Sequence, residues 1–240
     1  MIILPAIDIK DGNCVRLFKG DFSTVEKVAA DYMETAKSFE KAGAQWIHTV
    51  DLDGAKEGKP VNTQIFTDIA KNTNLKVELG GGIRTLETVE SYISSGISRV
   101  ILGSIALKDP QIVKDAVKEY GDRIAVGIDA MNEMVAVEGW LDSSSVNYID
   151  LAKEMEQIGV KYIIFTDISK DGTLSGVNLD QLGKLSKAVS CNVIASGGVH
   201  TIEDIKGCKA LNLYGTICGK SLYKGTLDLA EAVETAHKGE

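Results

Sequence analysis

Eight short apolar runs alternate with longer amphipathic stretches along the whole chain. The runs are Ile2–Asp8, Gln45–Asp51, Leu75–Leu79, Arg99–Gly103, Ile124–Asp129, Lys161–Thr166, Asn192–Ser196 and Leu213–Gly219. They are rich in Val and Ile and show little polar alternation, the pattern of parallel strands covered on both faces. Helical periodicity fills the intervals. It covers Val25–Ala42 with Gly43 as its stop, Thr63–Lys71, and Thr85–Ser95 with Thr85 as N-cap. A capping box there would need Glu or Gln where Thr88 stands, so the spacing supports the cap alone. Asp109-Pro110 reads as a cap followed by proline at the first helical position. Ser145–Ile158, Leu179–Val189, Thr201–Cys208 and Thr226–His237 complete the set. The expectation is eight strands and eight helices in strict alternation, an α/β fold.

The second half repeats the first. WIHTVDLDGAKEGKPVN begins at Trp46, and YIIFTDISKDGTLSGVN begins 116 residues later at Tyr162. At the same offset Gly81-Gly82 meets Gly197-Gly198, Thr85 meets Thr201, Glu87 meets Glu203 and Gly103 meets Gly219. Two four-unit halves in tandem predict a closed (β/α)₈ TIM barrel with approximate twofold symmetry rather than an open sheet. No Pro- or Ser-rich linker parts the halves, so residues 1–240 read as a single domain.

Composition narrows the function. A net charge of −8 argues against a nucleic-acid or anionic-membrane partner, both of which need a basic face. It leaves room for an anionic small molecule held by backbone dipoles. The N-terminus lacks a basic n-region and a cleavage site, and no apolar run approaches 18 residues. Cys14, Cys191, Cys208 and Cys218 form no CxxC pair or zinc spacing and read as free thiols. A cytoplasmic monomer is the expectation.

Candidate chemistry gathers at the strand ends. Glycine loops follow strand 3 (Gly80-Gly81-Gly82-Ile83-Arg84), strand 4 (Gly103-Ser104), strand 7 (Ser196-Gly197-Gly198-Val199) and strand 8 (Gly219-Lys220-Ser221). Such loops bring N–H groups and a helix N-terminus close to an anion, and the loops after strands 7 and 8 are a frequent phosphate position in barrels. The repeat duplicates that position, so two phosphate sites are expected on opposite sides of the mouth. Lys220 and Arg16 are candidates to add charge. Asp8 ends strand 1 and Asp129 ends strand 5, across the barrel from each other. Both are candidates for proton transfer. Thr166 ends strand 6 and could bond a carboxylate or a substrate hydroxyl, whereas its repeat partner is Val50. Asp51 and Asp167 stand one residue further and read as structural. His48, His200 and His237 offer no metal spacing, with His48 read as a barrel-wall residue. No Gly-x-Gly-x-x-Gly follows strand 1 and no Walker motif is present, so no cofactor is expected.

LPAIDIKDGNCVRLFKGD, WIHTVDLDGAKEG, ELGGGIR, ILGS, VGIDA, Gly139-Trp140, FTDISKDGTLSGVN and SGGV together resemble the phosphoribosylformimino-aminoimidazole carboxamide ribotide isomerases of histidine biosynthesis. The resemblance runs from Met1 to about Gly225. It implies an Amadori rearrangement of an aminoaldose to an aminoketose on a substrate with a phosphate at each end. It implies Asp8 as general base, Asp129 as general acid, Arg16 as an anchor on the phosphate side, and Trp140 stacked on the carboxamide-imidazole ring. The chain departs from the family pattern at three places. Met131, Asn132 and Glu133 replace a basic residue and a turn glycine, His200 replaces a small polar residue, and Val177 replaces a proline.

Three other readings stay open. The sister cyclase has the same barrel, although LPAIDIKDG and the Gly139-Trp140 loop favour the isomerase. A dual-substrate form would also isomerise phosphoribosylanthranilate. A non-catalytic barrel could bind a phosphorylated metabolite, but would have no need of two acids at the mouth.

Overall fold

The protein is described by a computed structural model covering residues 1–137, Trp140 and 142–238; Gly139 of the Gly139-Trp140 pair lies outside the described residues. Eight parallel strands close on themselves. They are β1 (Ile2–Lys10), β2 (Trp46–Asp51), β3 (Lys76–Gly80), β4 (Arg99–Leu102), β5 (Ile124–Met131), β6 (Tyr162–Asp167), β7 (Asn192–Ser196) and β8 (Gly215–Cys218). Each pairs with the next, and Ile2 of β1 meets Gly215 of β8 to complete the ring. The expected TIM barrel is therefore present.

Period-2 alternation sorts each strand into two buried faces. Ile3, Ile7 and Ile9 of β1, with Val126, Ile128 and Ala130 of β5, face outward and pack in the core shared with the helices. Leu4, Ala6, Ile101, Ala125, Ile164, Ile194 and Ile217 face inward and fill the barrel. The inward faces of β1, β2, β3, β5, β6 and β7, followed to their C-terminal ends, arrive at Asp8, Val50, Gly80, Asp129, Thr166 and Ser196, all on one cavity. The strands look continuously apolar because both faces are covered, yet the same alternation selects which terminal residue reaches the mouth.

The outer layer holds α1 (Tyr32–Lys41), α2 (Thr63–Asn72), α3 (Leu86–Ser94), α4 (Pro110–Tyr120), α5 (Tyr148–Ile158), α6 (Leu179–Ala188), α7 (Ile202–Ala210) and α8 (Leu229–His237). Thr85 accepts from the Thr88 N–H and Asp109 from the Gln111 N–H, as their positions predicted. Thr201 and Asp204 form a reciprocal capping box at α7.

Strict alternation fails in two places. Asp21–Ala29 is a strand paired antiparallel with Asn13–Phe18, so the expected helix Val25–Ala42 shortens to α1, whose true cap is Asp31. The signal was the turn chemistry. Asp11-Gly12 and Lys19-Gly20 occupy left-handed φ as two-residue ribbon turns, and β-branched Thr24, Val25 and Val28 suit a strand. Likewise Asp142–Asn147 pairs with Met134–Val137, and α5 begins after its cap Asn147 rather than at Ser145. The turn here is Asn132-Glu133, both with positive φ, so the ribbon forms without the glycine of the family pattern. Short helices at Leu52–Glu57, Ile105–Lys108 and Lys220–Lys224 also follow strands. Among the described residues no helix is long and apolar enough to cross a membrane.

Candidate active site

The mouth encloses a cavity of about 240 Å³. Asp8, Arg16, Asp129, Trp140 and Thr166 line it, with Gly81, Gly82, Gly103 and Ser104 on one side. An adjoining hollow of about 20 Å³ is lined by Gly197, Gly198, Gly219 and Lys220 on the other side. The two share Arg16, Asp171, Ser196 and Ile217, so the glycine loops border one continuous depression containing both acids. Ser221 is not among the lining residues. It is buried in the short helix Lys220–Lys224, and its hydroxyl makes no hydrogen bond.

The glycine pairs have a geometric reason beyond anion binding. Gly81 and Gly82 both take positive φ, and a methyl group on either would strike the backbone of Asp51 or Gly54 in the preceding loop. Gly197 and Gly198 repeat this against Asp167 and Gly176. Each cradle thus leans on the loop before it. That loop is tied down by the matched acids, as expected of structural residues. Asp51 accepts from the N–H groups of Gly54, Val61 and Asn62 and from the Asn62 amide. Asp167 accepts from the Ser169 N–H and hydroxyl and from the Asn178 amide at 2.6 Å.

The two mouth acids sit in different surroundings. Arg16, carried on the ribbon after β1, donates from Nη1 to Asp8 Oδ2 at 2.8 Å. Burial opposes the Arg16 charge, but Asp8, Asp171 and Tyr223 outweigh it and hold the guanidinium pKa above its ordinary value. Its guanidinium also covers Gly219, which leaves no space there for a side chain. Arg16 is therefore committed to a carboxylate as well as facing the second cradle. Asp129 is met instead by uncharged hydrogen-bond donors. Trp140 Nε1 donates to its Oδ2 at 2.7 Å, and Thr166, its register partner on β6, bonds its side chain. Burial raises the Asp129 pKa; the Trp140 and Thr166 bonds and the charge on His48 pull against that rise.

Three contributors escaped the sequence reading as site residues. Asp171, four residues past β6, lines both hollows. Burial pushes its pKa up to about 6; Arg16 and Lys220 oppose the shift, while Asp8 and Asp129 reinforce it. Its repeat partner is Ala55, so internal symmetry carried no signal. Arg84 lines the first cradle and folds its guanidinium over Gly58; the signal available was its place directly after Gly80-Gly81-Gly82-Ile83. His48 reaches the cavity from β2. His200 stays outside both hollows, its N–H held by Asp204 at 2.9 Å.

All four cysteines are free thiols, with Cys14, Cys208 and Cys218 buried. Burial raises every one of their pKa values, to about 11 for Cys14, Cys191 and Cys208, which leaves them poor nucleophiles. No group of three or more His, Cys, Asp or Glu side chains among the described residues has the geometry to hold a metal.

Comparison with known proteins points the same way as this geometry. Residues 2–228 match the family described as "Histidine biosynthesis protein". A protein of Clostridium botulinum (strain Hall) is 56% identical over 239 residues, covering 100% of this chain and 99% of its own length. Its name is 1-(5-phosphoribosyl)-5-((5-phosphoribosylamino)methylideneamino) imidazole-4-carboxamide isomerase. Proteins of the same name from Clostridium kluyveri (strain ATCC 8527) and Clostridium novyi (strain NT) are 56% and 53% identical, over 98% and 99% of this chain and 98% and 100% of their own lengths. With two acids across a barrel mouth, paired glycine cradles and this full-length similarity, the chain belongs to the histidine biosynthesis protein family.

Proposed function

We propose that the chain is the isomerase its relatives are named for, converting the bisphosphorylated aminoaldose ProFAR to the aminoketose PRFAR without a cofactor. The observation that carries the reading is the unlike setting of two carboxyls on one cavity, Asp8 against a cation and Asp129 against neutral donors. An Amadori rearrangement needs one group to give a proton and another to take one. Asp129, whose burial favours the protonated form, donates to the ribose ring oxygen, and the ring opens to a Schiff base. Asp8, ion-paired as a carboxylate, removes the proton from the neighbouring carbon to give an enolamine. Tautomerisation of the neutral enolamine moves its enol hydroxyl proton to the former imine carbon, so the proton taken by Asp8 balances the one given by Asp129. Thr166 holds the Asp129 carboxyl in place.

In the same reading, Gly81, Gly82, Gly103 and Ser104 hold one phosphate and Gly197, Gly198, Gly219 and Lys220 the other. Ser221 supports the second cradle from behind. Arg16 serves Asp8 first and the phosphate second. Trp140 covers the carboxamide-imidazole ring. A cytoplasmic setting suits the four free thiols, and the barrel closes without a partner, which fits a monomer.

A spectroscopic isomerase assay on the purified protein tests the reading. Turnover of the aminoaldose is the expected outcome. Tight binding without turnover would instead leave a phosphometabolite-binding barrel. Phosphoribosylanthranilate offered in parallel decides whether the site accepts a second substrate.

A further inference from the structure

His48 is tied into the barrel more strongly than a wall residue needs to be. Its Nδ1 lies 2.7 Å from Glu78 Oε1, and the other oxygen of Glu78 accepts from Arg99 Nη1 at 3.2 Å. Glu78 and Arg99 are buried, and the Arg99 guanidinium lies 3.7 Å from the Tyr162 ring and 4.2 Å from the Trp46 ring at the barrel floor. Ala6, His48, Glu78 and Arg99 are register partners on four successive strands. A chain of charge thus climbs from the floor and ends at an imidazole on the cavity that holds Asp8 and Asp129. Glu78 and Arg99 already offset each other's charge as a buried pair, although Arg99 Nε has no hydrogen-bond partner among the described residues, so neutralising charge does not explain the histidine. What the arrangement achieves is to fix the ring and commit Nδ1, leaving Nε2 as the polar atom the ring offers to the mouth.

Ile101 and Ile164, which line the same cavity, are apolar. A hydroxyl both donates and accepts, so it can meet Nε2 in either protonation state.

We propose that His48 is a substrate-binding residue whose Nε2 hydrogen-bonds a hydroxyl of the sugar held between Asp8 and Asp129, with Glu78 and Arg99 as positioning residues behind it. This rests on the isomerase reading and adds a contact to it. Holding the sugar by a hydroxyl aligns the carbon that loses its proton with Asp8, so the bond acts on orientation as well as affinity.

Glutamine and asparagine separate the two ring nitrogens, because a glutamine amide reaches the place of Nε2 and an asparagine amide the place of Nδ1. The experiment compares wild type with His48→Gln, His48→Asn and His48→Leu, measuring kcat and KM for the aminoaldose and Tm by circular dichroism. The expected result is that Gln retains kcat/KM within about fivefold, while Asn and Leu lose about 10- to 100-fold at little changed Tm. If Asn rescues and Gln does not, the bond to Glu78 is what matters and the inference is overturned. Equal losses in all three, or no loss in any, overturn it as well. No turnover by wild type removes the isomerase reading itself, an outcome distinct from four proteins that turn over alike.

Discussion

The two halves of the barrel share a backbone plan but treat their mouth acid in opposite ways. In the first half Asp8 stands opposite Val50 and meets Arg16; in the second Asp129 stands opposite Thr166 and meets Trp140. The first half offers Ala55 at the place where the second offers Asp171. The parts that agree, Asp51 with Asp167 and Gly81-Gly82 with Gly197-Gly198, hold loops in place. The parts that differ surround the chemistry. A duplicated scaffold supplies two glycine cradles at the mouth, and the departures from duplication give the two carboxyls unlike surroundings, a guanidinium for Asp8 and an indole N–H for Asp129.

The largest effects should come from deleting each acid. Asp8→Asn and Asp129→Asn should each lower kcat by about 10³-fold or more while the bisphosphate still binds, measured by turnover and by calorimetry. Near-normal kcat in either variant would remove that carboxyl from the mechanism. Next is Asp171→Asn. With its pKa raised to about 6, the native state holds a proton between about pH 4 and 6 that the unfolded chain releases, so stability falls as pH rises through that window. The substitution should therefore raise stability at pH 8, by an order-of-magnitude figure of about 3 kcal/mol, and change it little at pH 4. Equal denaturation midpoints at both values would contradict this. Trp140→Phe keeps a ring but removes the donor that favours the Asp129 carboxylate. The Asp129 pKa should climb further, moving the alkaline limb of the pH–rate profile up by about one pH unit; a shift downward would reverse the assignment. The smallest test sets the two matched helix starts side by side. Asp204→Ala breaks the α7 capping box and should cost about 1–2 kcal/mol in urea unfolding, whereas Thr85→Ala loses one cap bond at α3 and should cost about 0.5–1 kcal/mol.

Barrel and cradles were legible because they rest on short-range rules: strand composition, loop glycines and a repeat at fixed offset. Each of the eight apolar runs overlaps a barrel strand, and Asn192–Ser196 matches to the residue. The ribbons were missed where periodicity was weighed ahead of turn chemistry. Val25–Ala42 has helical spacing, but Asp11-Gly12 and Lys19-Gly20 already called for hairpin turns. Asp8 and Asp129 were visible at their strand ends. What lay beyond one-dimensional reading was partnership. The bonds from Arg16 to Asp8 and from Trp140 to Asp129 span 8 and 11 residues through ribbons whose course depends on packing. Asp171 sits in a loop whose folding back over the mouth follows from contacts such as Lys19 N–H to the Asp171 carbonyl at 3.1 Å.

Gly20 sits at the tip of the first ribbon with the Trp140 ring laid directly on its α-carbon. A single methyl group at this position has no room beside the indole, which would have to lift and abandon Asp129. One hydrogen atom on a loop of the first half thereby leaves the room in which an indole reaches an acid of the second half, so the two halves meet through the bareness of a single glycine.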